Sequence, residues 1–199
     1  MRIGTIGAGS IGQAVARQAL KAGHEVVLSN SRGPESLAGV VEELGPGASA
    51  GTVEEAADAD LVLLAVPWSA VEESVAGLPR KDGRIVIDAT NQFGPGMVVE
   101  NSGVRTGSEW MQSLIPGSRV IKAFNAMYAS FIAADPAHDE GRQVVFYAGD
   151  DAGAKERFAA VVDAFGFAAI DVGSLHEGGA FMAAGGGPLS GLHVLKQDV

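Results

Sequence analysis

The 199-residue chain contains no cysteine. That absence excludes disulfides, thiolate metal sites and cysteine nucleophiles. No apolar run reaches the roughly 18 residues needed to span a membrane. An apolar strand begins at residue 2 or 3, leaving no room for a signal peptide ahead of it, so a soluble cytoplasmic protein is the expectation. Positive charge is scarce: 14 Lys and Arg stand against 24 Asp and Glu, a formal charge of −10, which disfavours nucleic acid or an anionic membrane as a partner. The four histidines, His24, His138, His176 and His193, show no metal-ligand spacing, so no metal site is expected. His24 falls in a turn and reads as a surface residue, while His193, on an apolar stretch, reads as partly buried. Ser69, Ser102 and Ser130 lack the G-x-S-x-G elbow of a serine nucleophile.

Glycine is abundant, with 28 residues, and its placement is informative. A short apolar strand over 3–6 runs into Gly7-x-Gly9-x-x-Gly12, and Ile11, Val15, Ala19 and Leu20 then form an apolar stripe at helical spacing. Gly7 suits the tight turn, Gly9 lets a diphosphate approach the backbone, and Gly12 allows helix and strand to pack closely. Free N–H groups near Ser10 and Ile11, with the positive end of the helix dipole behind them, would face the phosphates. After a break at 22–24, a second strand over 25–30 completes the first half of a βαβ unit.

The end of that second strand lacks the acidic residue that usually receives the adenosine ribose hydroxyls of NAD. Asn30, Ser31 and Arg32 stand there instead, and the Arg32 fork suits a 2′-phosphate, which favours NADP over NAD. The alternative is a solvated Arg32 with Glu35 as its partner.

Apolar strands are expected at 61–66, ended by Pro67, and at 84–91, 119–125, 144–149 and 167–172, with a short one at 49–51. Helices are expected at 34–44, from a Thr52 cap with Glu55 at the capping-box position, and at 68–77, 109–115 and from 151 to about 165. Residues 92–107 read as loop and 126–142 as mixed loop and turn. The tail from Gly173 reads as glycine-rich, then helical over 188–195. With no repeat or linker, this pattern implies an α/β fold: a doubly wound, mostly parallel Rossmann sheet in one domain spanning 1–199. Its dinucleotide-binding core would be about 1–125 and its C-terminal extension about 126–199. Ligands bind beyond the carboxyl ends of such strands, which gathers 7–12, 30–32, 65–68, 90–91 and 123–127 along one edge. Pro67 and Trp68 could wall the cofactor or simply start a helix over a core tryptophan. Asp88, inside an apolar strand, must be paired or hydrogen-bonded.

Gly7 to Gly12, Gly-His-Glu at 23–25, Ser31-Arg32, Val66-Pro67-Trp68, Gly149-Asp150-Asp151 and Gly187-Pro188-Leu189 together resemble the NADPH-dependent reductases of the deazaflavin coenzyme F420. The resemblance implies that Ser10, Ile11 and Gly12 hold the pyrophosphate, with Gly7 and Gly9 in the same turn. It implies that Ser31 and Arg32, next to Asn30, hold the 2′-phosphate, and that Ala65, Val66 and Pro67 line the nucleoside half. Ala123, Asn125 and Met127 would meet the nicotinamide and second substrate, Pro188-Leu189 would cover part of the deazaflavin pocket, and a homodimer is implied. The family's reductases carry a histidine in the segment matching 123–125, where this chain has Asn125. The activity implied is hydride exchange between NADP(H) and a planar acceptor, F420 first, which needs no acid–base residue. A reductase of flavin, ferric chelate, quinone or imine, and an NADPH sensor without turnover, are the alternatives.

Overall fold

The computed structural model describes residues 1–76, 78, 80–98 and 106–197. Six strands form the parallel part of the sheet: β1 (Arg2–Ile6), β2 (Glu25–Ser29), β3 (Ala48–Ala50), β4 (Leu61–Leu64), β5 (Ile85–Asp88) and β6 (Arg119–Ala123). They lie in the order β3-β2-β1-β4-β5-β6, so the chain reverses its direction of winding between β1 and β4. The sheet then continues through β7 (Ala137–His138), β8 (Gly141–Gly149), β9 (Ala168–Asp171) and β10 (Leu195–Lys196). β8 runs antiparallel to β6 and parallel to β9, and β7 and β10 pair with it antiparallel. The C-terminal part thus extends the same sheet.

The helices are α1 (Ser10–Lys21), α2 (Ala38–Leu44), α3 (Val53–Ala57), α4 (Val71–Ala76), α5 (Gly107–Leu114), α6 (Ala129–Ala133), α7 (Ala152–Ala164) and α8 (Glu177–Phe181). Strand alternation divides the core into two layers. Ile3, Leu61, Leu63, Ile85, Ile87 and Ile121 face Ala14, Val15, Ala154 and Phe158 of α1 and α7. Ile6, Val62, Leu64, Val86 and Val120 face Ala56, Val71, Val75 and Met111 of α3, α4 and α5. Strands sandwiched in this way are apolar on both faces, which is why β4 reads as an unbroken apolar run with all four residues buried. A Cβ at Gly4 would stand 1.8 Å from the Ala56 carbonyl oxygen, so α3 lies directly on the β1 backbone.

Several elements differ from the sequence expectations. The helices at 34–44 and 68–77 open as 3-10 turns, Pro34–Leu37 and Trp68–Ala70, before α2 and α4; residue 77 lies outside the described residues. The stretch 126–142 holds α6 and β7, and β8 starts at Gly141 rather than 144. α5 begins at Gly107, under a Thr106 capping box with Glu109, inside the expected loop 92–107, of which 99–105 fall outside the described residues. The tail contains α8, and 188–195 is not helical: Gly191 is left-handed (φ 77°), and Val194 and Leu195 are drawn onto β8.

Two histidines also differ. His193 is exposed, stacked on Phe131 at 4.5 Å, because the turn ahead of β10 lies on the surface. His24 is partly buried, 6.0 Å from the Phe165 ring, with Nε2 enclosed and unpartnered. Burial lowers the His24 pKa from its ordinary 6.5, helped by the nearby N-terminal charge. The unfolded chain therefore binds a proton on His24 more readily than the folded one. That contribution to stability is complete above pH 6.5 and is lost as pH falls towards the lower folded value. Urea midpoints measured from pH 7.5 down to 5.5 should decline, and His24→Gln should flatten the decline. An equal decline in the variant would assign it to other groups.

Candidate functional site

The glycine turn sits at the carboxyl end of β1, where the winding reverses. Gly7 is left-handed (φ 101°), and a Cβ there would lie 2.3 Å from the Ala65 carbonyl oxygen. A Cβ on Gly12 would lie 2.2 Å from the Gly7 carbonyl oxygen. The fold itself demands these two glycines. Gly9 is different: its backbone is ordinary (φ −79°, ψ −169°) and a Cβ would meet nothing within 4 Å. The bare backbone at Gly9 leaves an open cradle that the protein does not fill. Gly9 caps α1 without any side-chain hydrogen bond, and the first turn of the helix holds no acidic residue. The leading N–H groups of α1 are thus available to an anion.

Beside this turn lies a cavity of about 680 Å³ lined by Gly7, Gly9, Asn30, Ser31, Arg32 and Ala65 to Pro67, among others. The Arg32 backbone N–H donates to Asn30 Oδ1 at 2.9 Å, and Asn30 Nδ2 donates to Ser36 Oγ. Asn30 therefore shapes the turn that presents the exposed Arg32. No ion pair joins Arg32 to Glu35 among the described residues. A second cavity of about 280 Å³ shares the Ala65–Val66–Pro67 wall and continues along Ile11, Trp68, Thr90, Asn91 and Phe93. Trp68 lines this cavity and also packs on Trp110 at 4.9 Å, so it serves as wall and core together. Of the residues expected at the site, eight line the first cavity, Ile11 lines the second, Ser10 is exposed at the helix start, and Gly12 is buried beneath it.

The architecture and the turn agree with what known proteins show. The family described as NADP oxidoreductase, coenzyme F420-dependent, matches residues 2–92. A solved hypothetical protein from Sinorhizobium meliloti is 36% identical with a TM-score of 0.93, covering 99% of this chain and 97% of that one. A structure from Arthrobacter sp. FB24, named as a candidate F420-dependent NADP-reductase, is 26% identical with a TM-score of 0.72, covering 92% and 90%.

The chain belongs to the NADP oxidoreductase family. It is also 29% identical over 175 residues to the metalloreductase STEAP3 of Rattus norvegicus, spanning 87% of this chain and about a third (34%) of the length of that relative.

In this NADP oxidoreductase, Ala123, Asn125 and Met127 are outside the lining of these two cavities and are buried, at 0%, 6% and 8% exposure. They sit at the end of β6, where Phe124 is left-handed (φ 64°) among the described non-glycine residues. Asn125 Nδ2 donates to Asn91 Oδ1 at 3.0 Å and to the Met182 carbonyl at 2.8 Å. Asn91 Nδ2 in turn donates to the Asn125 carbonyl at 2.9 Å. Asp88 is fully buried and accepts from Thr90 N, Thr90 Oγ1 and Ser108 Oγ at 2.9, 2.7 and 2.6 Å. Lys122 Nζ lies 3.2 Å from Asp88 Oδ2 and also donates to the Thr90 carbonyl. Sequence reasoning left Val53, Glu54, Ala70, Glu73 and Ser74 out of the first cavity and Phe93 and Gly94 out of the second. The strand-end rule could have flagged Val53 and Glu54, which follow β3. Among the described residues no cluster of three metal-ligating side chains occurs, and no helix is long and apolar enough to cross a membrane.

Proposed function

We propose that the chain binds NADP(H) across the two joined cavities and exchanges a hydride with a planar acceptor, coenzyme F420 first. The observation that carries the reading is Gly9, whose missing side chain leaves open a cradle in front of uncapped helix N–H groups, with Arg32 on the same cavity wall. Gly9, Ser10 and Ile11 would hold the pyrophosphate, Ser31 and Arg32 the 2′-phosphate, and Ala65 to Pro67 the nucleoside half. When bound, NADPH supplies two electrons and a proton as hydride from nicotinamide C4, and the acceptor takes a further proton from solvent. The chain's own residues position and exclude water: Trp68 and Phe93 wall the smaller cavity, and among the described residues no carboxylate or histidine lines it. That lining suits an exchange whose rate comes from placing two rings together.

A second reading, reduction of a flavin or ferric chelate, is supported by the identity to a metalloreductase over most of the chain. NADPH oxidation assayed against F420, FMN, FAD and ferric chelates separates the two; binding without turnover on any acceptor would leave a sensor. A homodimer and a cytoplasmic location belong to the first reading.

The cofactor preference has its own test. Arg32→Ala should weaken NADPH binding by about 1.5–3 kcal/mol and leave NADH nearly unchanged, because a charge-assisted phosphate contact is lost. Equal weakening of both nucleotides in calorimetry would remove phosphate recognition from Arg32.

A further inference from the structure

We propose that Asn91 is a ligand-contact residue that donates its free amide N–H to the carboxamide oxygen of the nicotinamide, and that the buried Asn125 is the positioning residue that aims it. The inference rests on the dinucleotide reading above and deepens it at the smaller cavity.

Thr90 and Asn91 are the polar residues that follow β5 on that cavity's wall. Thr90 has no donor left to offer. Its N–H and hydroxyl both donate to Asp88, and its carbonyl accepts from Lys122. Asn91 is different. One N–H of its amide goes to the Asn125 carbonyl, its Oδ1 accepts from Asn125 Nδ2, and the second N–H has no acceptor among the described residues. The Asn91 amide is therefore fixed in orientation by a reciprocal pair, with a donor to spare, on a wall otherwise built of Ile11, Ala65, Val66, Pro67, Trp68 and Phe93. A donor in such a setting selects a ligand atom that accepts, and a carbonyl oxygen is the common one on a planar ring of this size.

Asn125 itself cannot make that contact, being 6% exposed with its amide committed to Asn91 and Met182. Its Oδ1 is buried without a partner. An orphaned acceptor is destabilising. Held in that way, Asn125 ties Asn91 to the tail at Met182 and removes the amide's freedom to turn.

The test titrates NADPH and adenosine 2′,5′-bisphosphate, which lacks the nicotinamide, into wild type, Asn91→Ala, Asn91→Asp and Asn125→Ala, with melting temperatures recorded for each. Asn91→Ala and Asn91→Asp should raise the Kd for NADPH about five- to tenfold and leave the bisphosphate within about twofold. The aspartate keeps the acceptor for Asn125 and lacks the donor, so it should match the alanine. Asn125→Ala should show the same split between the two ligands, which a loss of general stability would not. Equal weakening of both ligands, or an unchanged NADPH affinity in Asn91→Ala, overturns the inference. Wild type that binds the bisphosphate but gains nothing from the nicotinamide also overturns it, while wild type that binds neither ligand overturns the dinucleotide reading itself.

Discussion

Lys122→Met should cost about 3–5 kcal/mol of folding stability. The Asp88 side chain is 0% exposed and that of Lys122 is 8% exposed, so neither charge has water to fall back on. With the ammonium gone, Asp88 would keep three hydrogen bonds and lose its counter-charge, and the Thr90 carbonyl would lose its donor. Met matches the stem of Lys in volume, which keeps packing loss small. Adding Asp88→Asn to the variant removes the stranded charge and should recover at least about 1 kcal/mol, a coupling that urea melts of the two single variants and the double would expose. A loss below about 1 kcal/mol for Lys122→Met would contradict the pairing described.

The second large effect separates two glycines three residues apart. Gly9→Val should leave stability within about 1 kcal/mol, since a Cβ there meets nothing and the backbone angles suit any residue. The same change should weaken NADPH by a hundredfold or more, about 2.7 kcal/mol, because the isopropyl group would occupy the cradle before the helix. Gly12→Ala should do the reverse in order of cause. Its Cβ would stand 2.2 Å from the Gly7 carbonyl, so α1 must move off β1, and the melting temperature should fall before any binding is asked of it. Differential scanning calorimetry with and without NADPH reads both. Undiminished NADPH binding by Gly9→Val would end the case for a phosphate at this turn.

Much of this was legible in the chain. β4, β5 and β6 announce themselves as apolar runs because both faces of each are covered. The glycine turn is legible for a different reason: the left-handed angle of Gly7 and the close approach of Gly12 to the Gly7 carbonyl are local requirements, although Ala65 also crowds Gly7. What stayed hidden depends on partners far along the chain. β10 exists only because β8 offers an edge to Leu195 and Lys196, and nothing in a glycine-broken tail shows that edge. α6 is five residues long, too short for its periodicity to show, and is held against α1 by Gln18 Nε2, which donates to the Ile132 and Ala134 carbonyls. The need for Asp88 to be paired was readable, but its partner emerges only from the register that sets Asp88 beside Lys122 across β5 and β6. The same holds at the site. Arg32 could be placed from the strand before it, whereas the pairing of Asn91 with Asn125 joins residues 34 apart.

The larger cavity is rimmed by Glu54 and Glu73 as well as Arg32, on a body of net charge −10. A phosphate-bearing molecule must therefore cross a repulsive field before it reaches the guanidinium. Dissolved salt screens that long-range field over about 10 Å at 0.1 M, more than it weakens a contact made at hydrogen-bond distance. Encounter should consequently quicken as ionic strength rises from very dilute buffer, the opposite of what a basic receptor shows. Stopped-flow association rates would carry that inverted slope.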